Sequence, residues 1–246
     1  MHINSVFGDP LIQDGFATLI TFAIALSWLR LMDTLAHRGI IDQILSRKLV
    51  HLGTGPLFVL CWLLFSETAI ARYWAALVPL AITSQFLAIG MQWIQAPEKV
   101  QAISRTGNPA ELLRGPLYYG LAFTVCTICF WRHSPIGILA LMMMCGGDGL
   151  ADIVGRRLGT HKLPFSPTKS WAGSSAMFLG STAFGWGFLA LFNRLGQFQP
   201  ALSNDGAIAI VTAIAAIATL VEALPFADID NLTLTTVAIG LGLWWF

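Results

Sequence analysis

The sequence predicts an all-α fold, a polytopic membrane bundle of about seven or eight transmembrane helices that forms one domain over residues 1–246. Hydrophobic residues make up 56% of the chain and charged residues only 11%, whereas soluble domains carry about 25% charged residues. Apolar stretches near the length that crosses a bilayer recur along the chain. Lysine and arginine are concentrated in alternate connections between these stretches.

A window of about 20 apolar residues, the length of a transmembrane helix, divides the chain into seven spans and a shorter eighth. The predicted spans are 11–29, 49–65, 73–94, 115–131, 135–154, 172–192, 207–224 and 232–246. The eighth ends in a tryptophan-rich stretch that is typical of an interface anchor. No basic segment and no small-residue cleavage site precede the first span, so we do not expect it to be a removable signal peptide.

The distribution of basic residues predicts the orientation in the membrane. The first, third and fifth connections carry 11 of the 14 lysines and arginines. Because cytoplasmic loops are enriched in these residues, the odd connections are predicted on the cytoplasmic side, or on its organellar equivalent. The N-terminus is then outside.

Several function classes do not fit this composition. A net charge of +1 gives no sign of the basic surface that nucleic-acid binding requires. Disorder does not fit the high hydrophobicity. The four cysteines lie in apolar runs and do not indicate a disulfide framework.

The fifth predicted span carries two carboxylates close to its inner end. Asp148, Asp152 and Arg156 follow one another at intervals of four residues, so they share one face of a helix. A carboxylate near hydrocarbon is costly and usually faces a polar cavity or a partner. Two carboxylates on one face suit Mg²⁺, which leaves coordination positions for phosphate oxygens. The alternative is an Asp–Arg pair that closes a helix end, but the neighbouring Gly147 and Gly149 favour close approach of a ligand.

The connection after this span has features of a phosphate-binding segment. It contains Lys162 and enters the sixth span through Lys169, Ser170 and Gly173. The start of a helix has free backbone N–H groups and a partial positive charge, so it can hold a phosphate. The strict P-loop pattern is absent. An ordinary basic loop would explain the lysines, but not the glycines, prolines and serines around them.

Polar residues are also predicted at the inner ends of the second and fourth spans. Lys48 and His51 lie where the second span begins, and Arg114 precedes the fourth. Interface anchoring is the alternative explanation for Lys48 and His51.

Acidic residues cluster around the inner end of the seventh span. Glu222 interrupts an apolar run, and Asp228, Asp230 and Asn231 follow in the one inner connection that has no basic residue. These acids could meet a metal, and pairing with a lysine or arginine is the structural alternative.

All of these ionisable residues are predicted on one side of the membrane. A transporter more often places such groups near the bilayer midplane. One polar face beneath an apolar bundle instead favours chemistry on a lipid headgroup, with a soluble second substrate. Carboxylates that can bind a metal, together with lysines, make that second substrate a nucleotide.

The central motif resembles a known family signature. Residues 147–159 read Gly-Asp-Gly-Leu-Ala-Asp-Ile-Val-Gly-Arg-Arg-Leu-Gly, and Lys-Leu-Pro and Lys-Ser-Trp-Ala-Gly-Ser follow. This run resembles the signature of the polyprenol kinase family, which includes phytol and farnesol kinases and, more distantly, dolichol kinases. The segments 47–55, 113–119, 221–225 and 230–233 are similar to its flanking blocks, so the resemblance covers about 47–233.

This resemblance implies a CTP-dependent kinase that phosphorylates the hydroxyl of an isoprenoid alcohol, most like phytol, and that feeds phytol salvage and tocopherol synthesis. The expected partners are the alcohol, a nucleoside triphosphate and membrane lipid. We expect Asp148 and Asp152 to bind Mg²⁺. The expected catalytic residues are Asp148, Asp152, Lys169 and Glu222; the nucleotide-binding residues are Gly147, Gly149, Arg156, Lys162, Ser170 and Gly173; and the substrate-binding or supporting residues are Lys48, His51, Arg114, Asp230 and Asn231.

Two other functions stay open at this point. A CTP-using cytidylyltransferase that makes a CDP-lipid needs similar metal and phosphate ligands, but it releases pyrophosphate. A transporter or flippase would move its substrate without consuming nucleotide, and it predicts ionisable groups deeper in the bundle.

Overall fold

The structure is a computed structural model that describes residues 8–224 and 229–246, so Asp228 of the predicted acidic cluster lies outside the described residues. The helices are α1 (Pro10–His37), α2 (Gln43–Cys61), α3 (Ala71–Gly90), α4 (Pro97–Ile103), α5 (Gly115–Cys129), α6 (Pro135–Met142), α7 (Gly149–Leu158), α8 (Trp171–Arg194), α9 (Asn204–Glu222) and α10 (Asp230–Trp245). A π-helical segment, Met143–Asp148, joins α6 to α7, and short 3₁₀ turns follow α2 and precede α5. The strands β1 (Lys162–Leu163) and β2 (Ser166–Ser170) pair between α7 and α8.

The prediction of an all-α membrane bundle is confirmed. Within residues 8–224 and 229–246, seven helical segments are long and apolar enough to cross a membrane. They correspond to the first seven predicted spans. The predicted eighth span is α10, whose 16 residues are shorter than the other spans.

Helix starts follow local capping chemistry in the sequence. Asp9, Asp42, Ser134 and Ser170 each accept a hydrogen bond from a backbone N–H in the first turn of α1, α2, α6 and α8. These side chains satisfy donors that have no partner within the helix. Proline follows the cap of α1 and α6, where its missing N–H costs no intrahelical bond.

The continuous segment Pro135–Leu158 is the central element of the bundle. Its most apolar stretch is 83% buried, against 22–39% for the other six spanning segments. A π-helical insertion places an extra residue in the turn just before Asp148, a feature often found at functional sites. The two carboxylates predicted as a site therefore lie on the helix that is most enclosed by protein.

A second polar cluster closes the opposite end of the helices. We call Asp14, Ser66, Glu67 and Arg132 the distal polar cluster. The Arg132 guanidinium donates to three backbone carbonyls in the turn that follows α2, at 2.8–2.9 Å, and pairs with Glu67 at 2.8 Å. The Asp14 carboxylate accepts from the backbone N–H and the hydroxyl of Ser66, at 2.7 and 2.9 Å. The sequence interpretation did not single out these residues.

The connection between α7 and α8 is a β-hairpin, where a basic phosphate-binding loop was predicted. The two strands are antiparallel, and Lys162 lies opposite Ser170. The hairpin therefore returns Lys162 to the start of α8, next to the residues that cap this helix.

Candidate active site

The charged residues meet around a cavity of about 1410 Å³ at one end of the bundle. The starts of α2, α8 and α10, the end of α9, α7 and the hairpin all contribute to its polar part. Among the described residues, every predicted site residue lines this cavity except Gly147 and Gly149. The lining includes Lys48, His51, Arg114, Asp148, Asp152, Arg156, Lys162, Lys169, Ser170, Gly173, Glu222, Asp230 and Asn231. We call this part of the cavity the charged end.

Two carboxylates share one lysine on the α2–α7 side of the charged end. The Nζ atom of Lys48 lies 4.0 Å from Asp148 Oδ2 and 3.6 Å from Asp152 Oδ2. His51 Nε2 lies 3.3 Å from Asp148 Oδ2. Arg156 Nε donates to Asp152 Oδ2 at 2.8 Å, so the predicted Asp–Arg pair is present, but it uses only one of the two acids. The single helix face predicted for these carboxylates is the face that meets α2.

His51 is fixed by contacts behind the cavity wall. Its Nε2 atom lies 3.0 Å from the Met144 carbonyl oxygen, and its ring centroid lies 4.5 Å from that of Tyr119. The Tyr119 hydroxyl donates to the backbone carbonyl of His51 at 2.8 Å and contacts Cys145 Sγ at 3.2 Å. Tyr119 was not among the predicted site residues, so the sequence did not reveal this supporting contact between α5 and α2.

Lys169 joins two acids on the opposite wall. Its Nζ atom donates to Glu222 Oε1 and lies 3.5 Å from Asp230 Oδ2. Burial alone lowers the pKa of Lys169, but Glu222, Asp230 and Asp148 raise it by a larger amount, so the net pKa lies above the usual lysine value. Lys169 therefore keeps its positive charge at neutral pH. The structural alternative for these acids, pairing with a basic residue, is present, and both carboxylates still face the cavity.

The start of α8 offers polar groups to the same space. Ser170 Oγ accepts from the Gly173 backbone N–H at 3.1 Å and so caps the helix. Ser174 also lines the cavity, and its hydroxyl is buried without a hydrogen-bond partner in the described part of the chain. A buried hydroxyl without a partner is costly, so a ligand that supplies one would be stabilised there. The Gly-Ser-Ser pattern in the sequence could have identified Ser174.

The glycines of the central motif contact neighbouring helices. A Cβ atom on Gly147 would lie 2.1 Å from Ser181 Oγ, and one on Gly149 would lie 3.2 Å from the Leu52 side chain. A Cβ on Gly173 would lie 3.1 Å from the Ala151 carbonyl oxygen. Close helix packing leaves little room for a side chain at these positions and so explains the glycines. Their part in nucleotide binding stays a prediction.

The remaining predicted residues lie around the cavity entrance. Asn231 Nδ2 donates to the Gly115 carbonyl at 3.4 Å and so ties α10 to the start of α5. Arg114 lies just before α5 and Lys162 lies on the exposed hairpin, and both line the cavity.

The two carboxylates of α7 fit a magnesium ion that is carried by a nucleotide. Within the described ranges, no group of three or more His, Cys, Asp and Glu side chains could hold a metal ion by itself. Mg²⁺ commonly takes only one or two protein carboxylates, because phosphate oxygens and waters complete its shell. Asp148 and Asp152 match that donor set, and metal binding there stays a prediction.

The cavity continues from the charged end into an apolar groove between α1, α2, α3 and α5. Side chains such as Ile24, Leu57, Phe58, Ile82 and Phe123 line this part. One continuous space therefore joins charged groups at the end of the bundle to an apolar lining inside it.

Curated phytol kinases from plants are similar to this chain over most of its length. It is 44% identical over 224 residues to the probable phytol kinase 1, chloroplastic, of Oryza sativa subsp. japonica, which covers 90% of this chain and 71% of that protein. It is 43% identical over 225 residues to the probable phytol kinase, chloroplastic, of Triticum aestivum, with coverages of 91% and 74%. The phytol kinase 1, chloroplastic, of Arabidopsis thaliana is 38% identical over 238 residues, with coverages of 96% and 78%.

The chain belongs to the phytol kinase family. It is accordingly an enzyme, an integral membrane phosphotransferase with an alcohol acceptor. The resemblance that the sequence motifs predicted is confirmed. No family model matches the chain, and no solved structure is similar to it.

Proposed function

We propose that this protein transfers the γ-phosphoryl group of CTP to the hydroxyl of phytol, or of a closely similar isoprenoid alcohol, and forms the alcohol monophosphate. The observation that carries this proposal is the continuous cavity with a charged end and an apolar groove. An isoprenoid alcohol has the same two parts, a polar hydroxyl and a long apolar tail. The names of the plant relatives support phytol as the acceptor.

The reaction takes place at one membrane interface in this account. The basic connections of the chain predict that the charged end faces the cytoplasm or the stroma. A nucleotide can then enter from water while the alcohol enters from the lipid. The hydroxyl and the γ-phosphate meet where the groove reaches the charged end.

Asp148 and Asp152 would hold Mg²⁺ together with the nucleotide phosphates. The ion, when bound, neutralises charge on the phosphate oxygens. Lys48 lies within 4.0 Å of both carboxylates and so holds them in one orientation. Arg156 donates to Asp152 and places a second positive charge beside these carboxylates.

The opposite wall supplies positive charge to the transferred group. Phosphoryl transfer depends mainly on positioning and charge stabilisation, with little covalent chemistry for the protein. Lys169 is held by Glu222 and Asp230, so its ammonium group is already oriented before the nucleotide binds. The start of α8, with its free N–H groups and the Ser170 and Ser174 hydroxyls, can bind phosphate oxygens, and Lys162 adds charge from the hairpin.

The acceptor hydroxyl needs an orienting group and a site for its proton. Glu222 and Asp230 are carboxylates that line the cavity beside Lys169, and either can accept a hydrogen bond from the hydroxyl. The hydroxyl oxygen attacks the γ-phosphorus, the bond to the β-phosphate oxygen breaks, and CDP leaves. The hydroxyl proton passes to a carboxylate or to solvent.

The nucleotide and the metabolic role follow from the family resemblance. Polyprenol kinases of this type use CTP, and phytyl phosphate leads towards tocopherol synthesis in photosynthetic cells. These two parts of the proposal are supported by the family resemblance and not by any contact in the cavity.

The test is product identification with purified protein in lipid nanodiscs. The protein is incubated with Mg²⁺, phytol and each of the four nucleoside triphosphates in turn, and the products are identified by mass. Phytyl phosphate together with CDP, formed with CTP, is the expected result. If phytyl phosphate is supplied as the acceptor instead, formation of a CDP-lipid with release of pyrophosphate would make the protein a cytidylyltransferase. Movement of alcohol between leaflets without nucleotide consumption would make it a transporter.

A further inference from the structure

We propose that the apolar groove holds the tail of the substrate and that its closed end limits this tail to about four isoprene units. The inference rests on the proposed function and deepens it, because it assigns residues that select the alcohol by chain length. Thr21, Cys61, Val78 and Phe123 form the closed end of the groove. They are the lining residues farthest from the charged end on α1, α2, α3 and α5 respectively.

The depth of the groove can be measured along α2. Lys48 lines the charged end and Cys61 the closed end of the same helix. Their separation in the sequence corresponds to about 20 Å at a rise of about 1.5 Å per residue. An extended chain of single bonds advances about 1.2 Å per bond, so a tail of four isoprene units extends about 18 Å. Such a tail fills the groove when its hydroxyl lies beside Lys48 and the carboxylates.

Large buried side chains lie directly behind the closed end. Trp62 and Phe65 follow Cys61 and are almost completely buried, and both pack on Trp131 with ring centroids 5.1 and 6.0 Å away. The distal polar cluster lies beyond these rings and binds the carbonyl oxygens of the same turn. A longer tail would have to displace this packed layer.

The closed end therefore discriminates against longer alcohols by exclusion and against shorter ones by incomplete filling. An apolar site separates ligands that differ by one methylene by roughly tenfold or more. An isoprene unit adds several carbons, so we expect the loss or addition of one unit to change kcat/KM by more than this factor. Long polyprenols of the dolichol type are expected to be poor substrates.

The test is a chain-length profile of a variant that fills the closed end. Cys61→Phe adds a ring at the bottom of the groove, far from every residue assigned to phosphoryl transfer. Cys129→Phe is the matched control, because this exposed cysteine at the end of α5 does not line the cavity in the described part of the chain. The ratio kcat/KM is measured for geraniol, farnesol, geranylgeraniol and phytol, which have two, three, four and four isoprene units.

We expect Cys61→Phe to lower the phytol-to-farnesol ratio of kcat/KM by roughly tenfold or more. Cys129→Phe should keep the ratio of the unmodified protein. An unchanged ratio in an active Cys61→Phe protein would overturn the proposal. If Cys61→Phe does not fold, Cys61→Leu gives a smaller change in the same direction and takes its place.

A second measurement keeps this proposal separate from the proposed function. A geranylgeraniol analogue with a diazirine at the tail end is photolysed in the unmodified protein, and the labelled residues are identified by mass. Labelling of the closed end supports the tail groove even if no alcohol is phosphorylated, in which case only the kinase reaction fails. Labelling confined to the lipid-facing surfaces would overturn the groove even if phosphorylation occurs.

Discussion

The two ends of the helix bundle both carry charged side chains, but they hold them in different ways. At the distal polar cluster, Arg132 is only 1% exposed and donates to three backbone carbonyls, and Asp14 is fully buried against Ser66. At the charged end, Lys48 bridges two carboxylates at 3.6–4.0 Å, and all these groups line an open cavity. At one end the charged groups are bonded to backbone atoms, and at the other end they are accessible to a ligand.

This contrast separates a structural use of charge from a functional one. Backbone carbonyls at the end of a helix have no partner within the helix, and a buried guanidinium supplies the hydrogen bonds that they need. Carboxylates that contact side chains beside an open cavity keep oxygen atoms available for a metal or a phosphate-bound partner. The same charged residue types therefore stabilise the fold at one end and prepare a reaction at the other.

The largest effect is expected from the charged end. Asp148→Asn removes a proposed Mg²⁺ ligand, and such an ion contributes several kcal/mol to stabilisation of the transition state. We expect turnover to fall by about 1,000-fold while the melting temperature changes little. Phytyl phosphate formation and thermal unfolding in detergent measure the two quantities. An Asp148→Asn protein with near-normal turnover would remove this residue from the site.

The reverse pattern is expected at the distal polar cluster. Arg132→Gln leaves three backbone carbonyls and Glu67 without their donor, and breaking such a buried network typically costs about 3–5 kcal/mol. The melting temperature should therefore drop, while kcat per folded molecule stays near that of the unmodified protein. Chemical unfolding and turnover normalised to folded protein test this expectation. A loss of kcat in folded Arg132→Gln protein would show that the distal cluster also contributes to the reaction.

The opposite wall of the cavity combines both kinds of effect. Lys169→Met removes a proposed phosphate ligand, so we expect turnover to fall by about 100-fold. It also leaves Glu222, which is 5% exposed, without its cation, and this lowers stability. The double variant with Lys169→Met and Glu222→Gln should regain stability but not activity. Recovery of activity in the double variant would mean that Lys169 acts only as a structural partner.

The composition and the hydrophobic pattern were sufficient to predict most of the fold. Seven spans follow from long apolar stretches. The capping residues Asp9 and Ser134 were also in the sequence, but the prediction did not use them to place the helix starts. The β-hairpin between α7 and α8 was not predicted, because two short strands interrupted by Pro167 carry no strand periodicity.

The sequence predicted those parts of the candidate site whose residues are close together along the chain. Asp148 and Asp152 are four residues apart on one helix, so their common face follows from the sequence. The contact of Lys48 with both acids joins α2 to α7, and it could be identified only from the three-dimensional structure. The distal cluster was missed for the same reason, since Asp14 and Ser66 are 52 residues apart and each one looks ordinary by itself.

The smallest effect comes from a pair of matched helix caps. Ser134 caps α6 near the distal end, and Ser170 caps α8 at the charged end. Each serine-to-alanine change should lower the free energy of unfolding by about 1 kcal/mol, since each removes one cap. Only Ser170→Ala should also raise KM for the nucleotide, by a few-fold. Equal KM values in the two variants would mean that the start of α8 does not bind the phosphates of the nucleotide.

The position of a radioactive label in the lipid product tests the central claim most directly. The protein is supplied with phytol and Mg²⁺, and with CTP labelled either at the α-phosphate or at the γ-phosphate. The account predicts that the γ label enters the lipid, that the α label stays in CDP, and that Asp148→Asn slows the transfer by about 1,000-fold while Arg132→Gln does not. Lipid labelled from the α position, or transfer at a near-normal rate in Asp148→Asn, would contradict it.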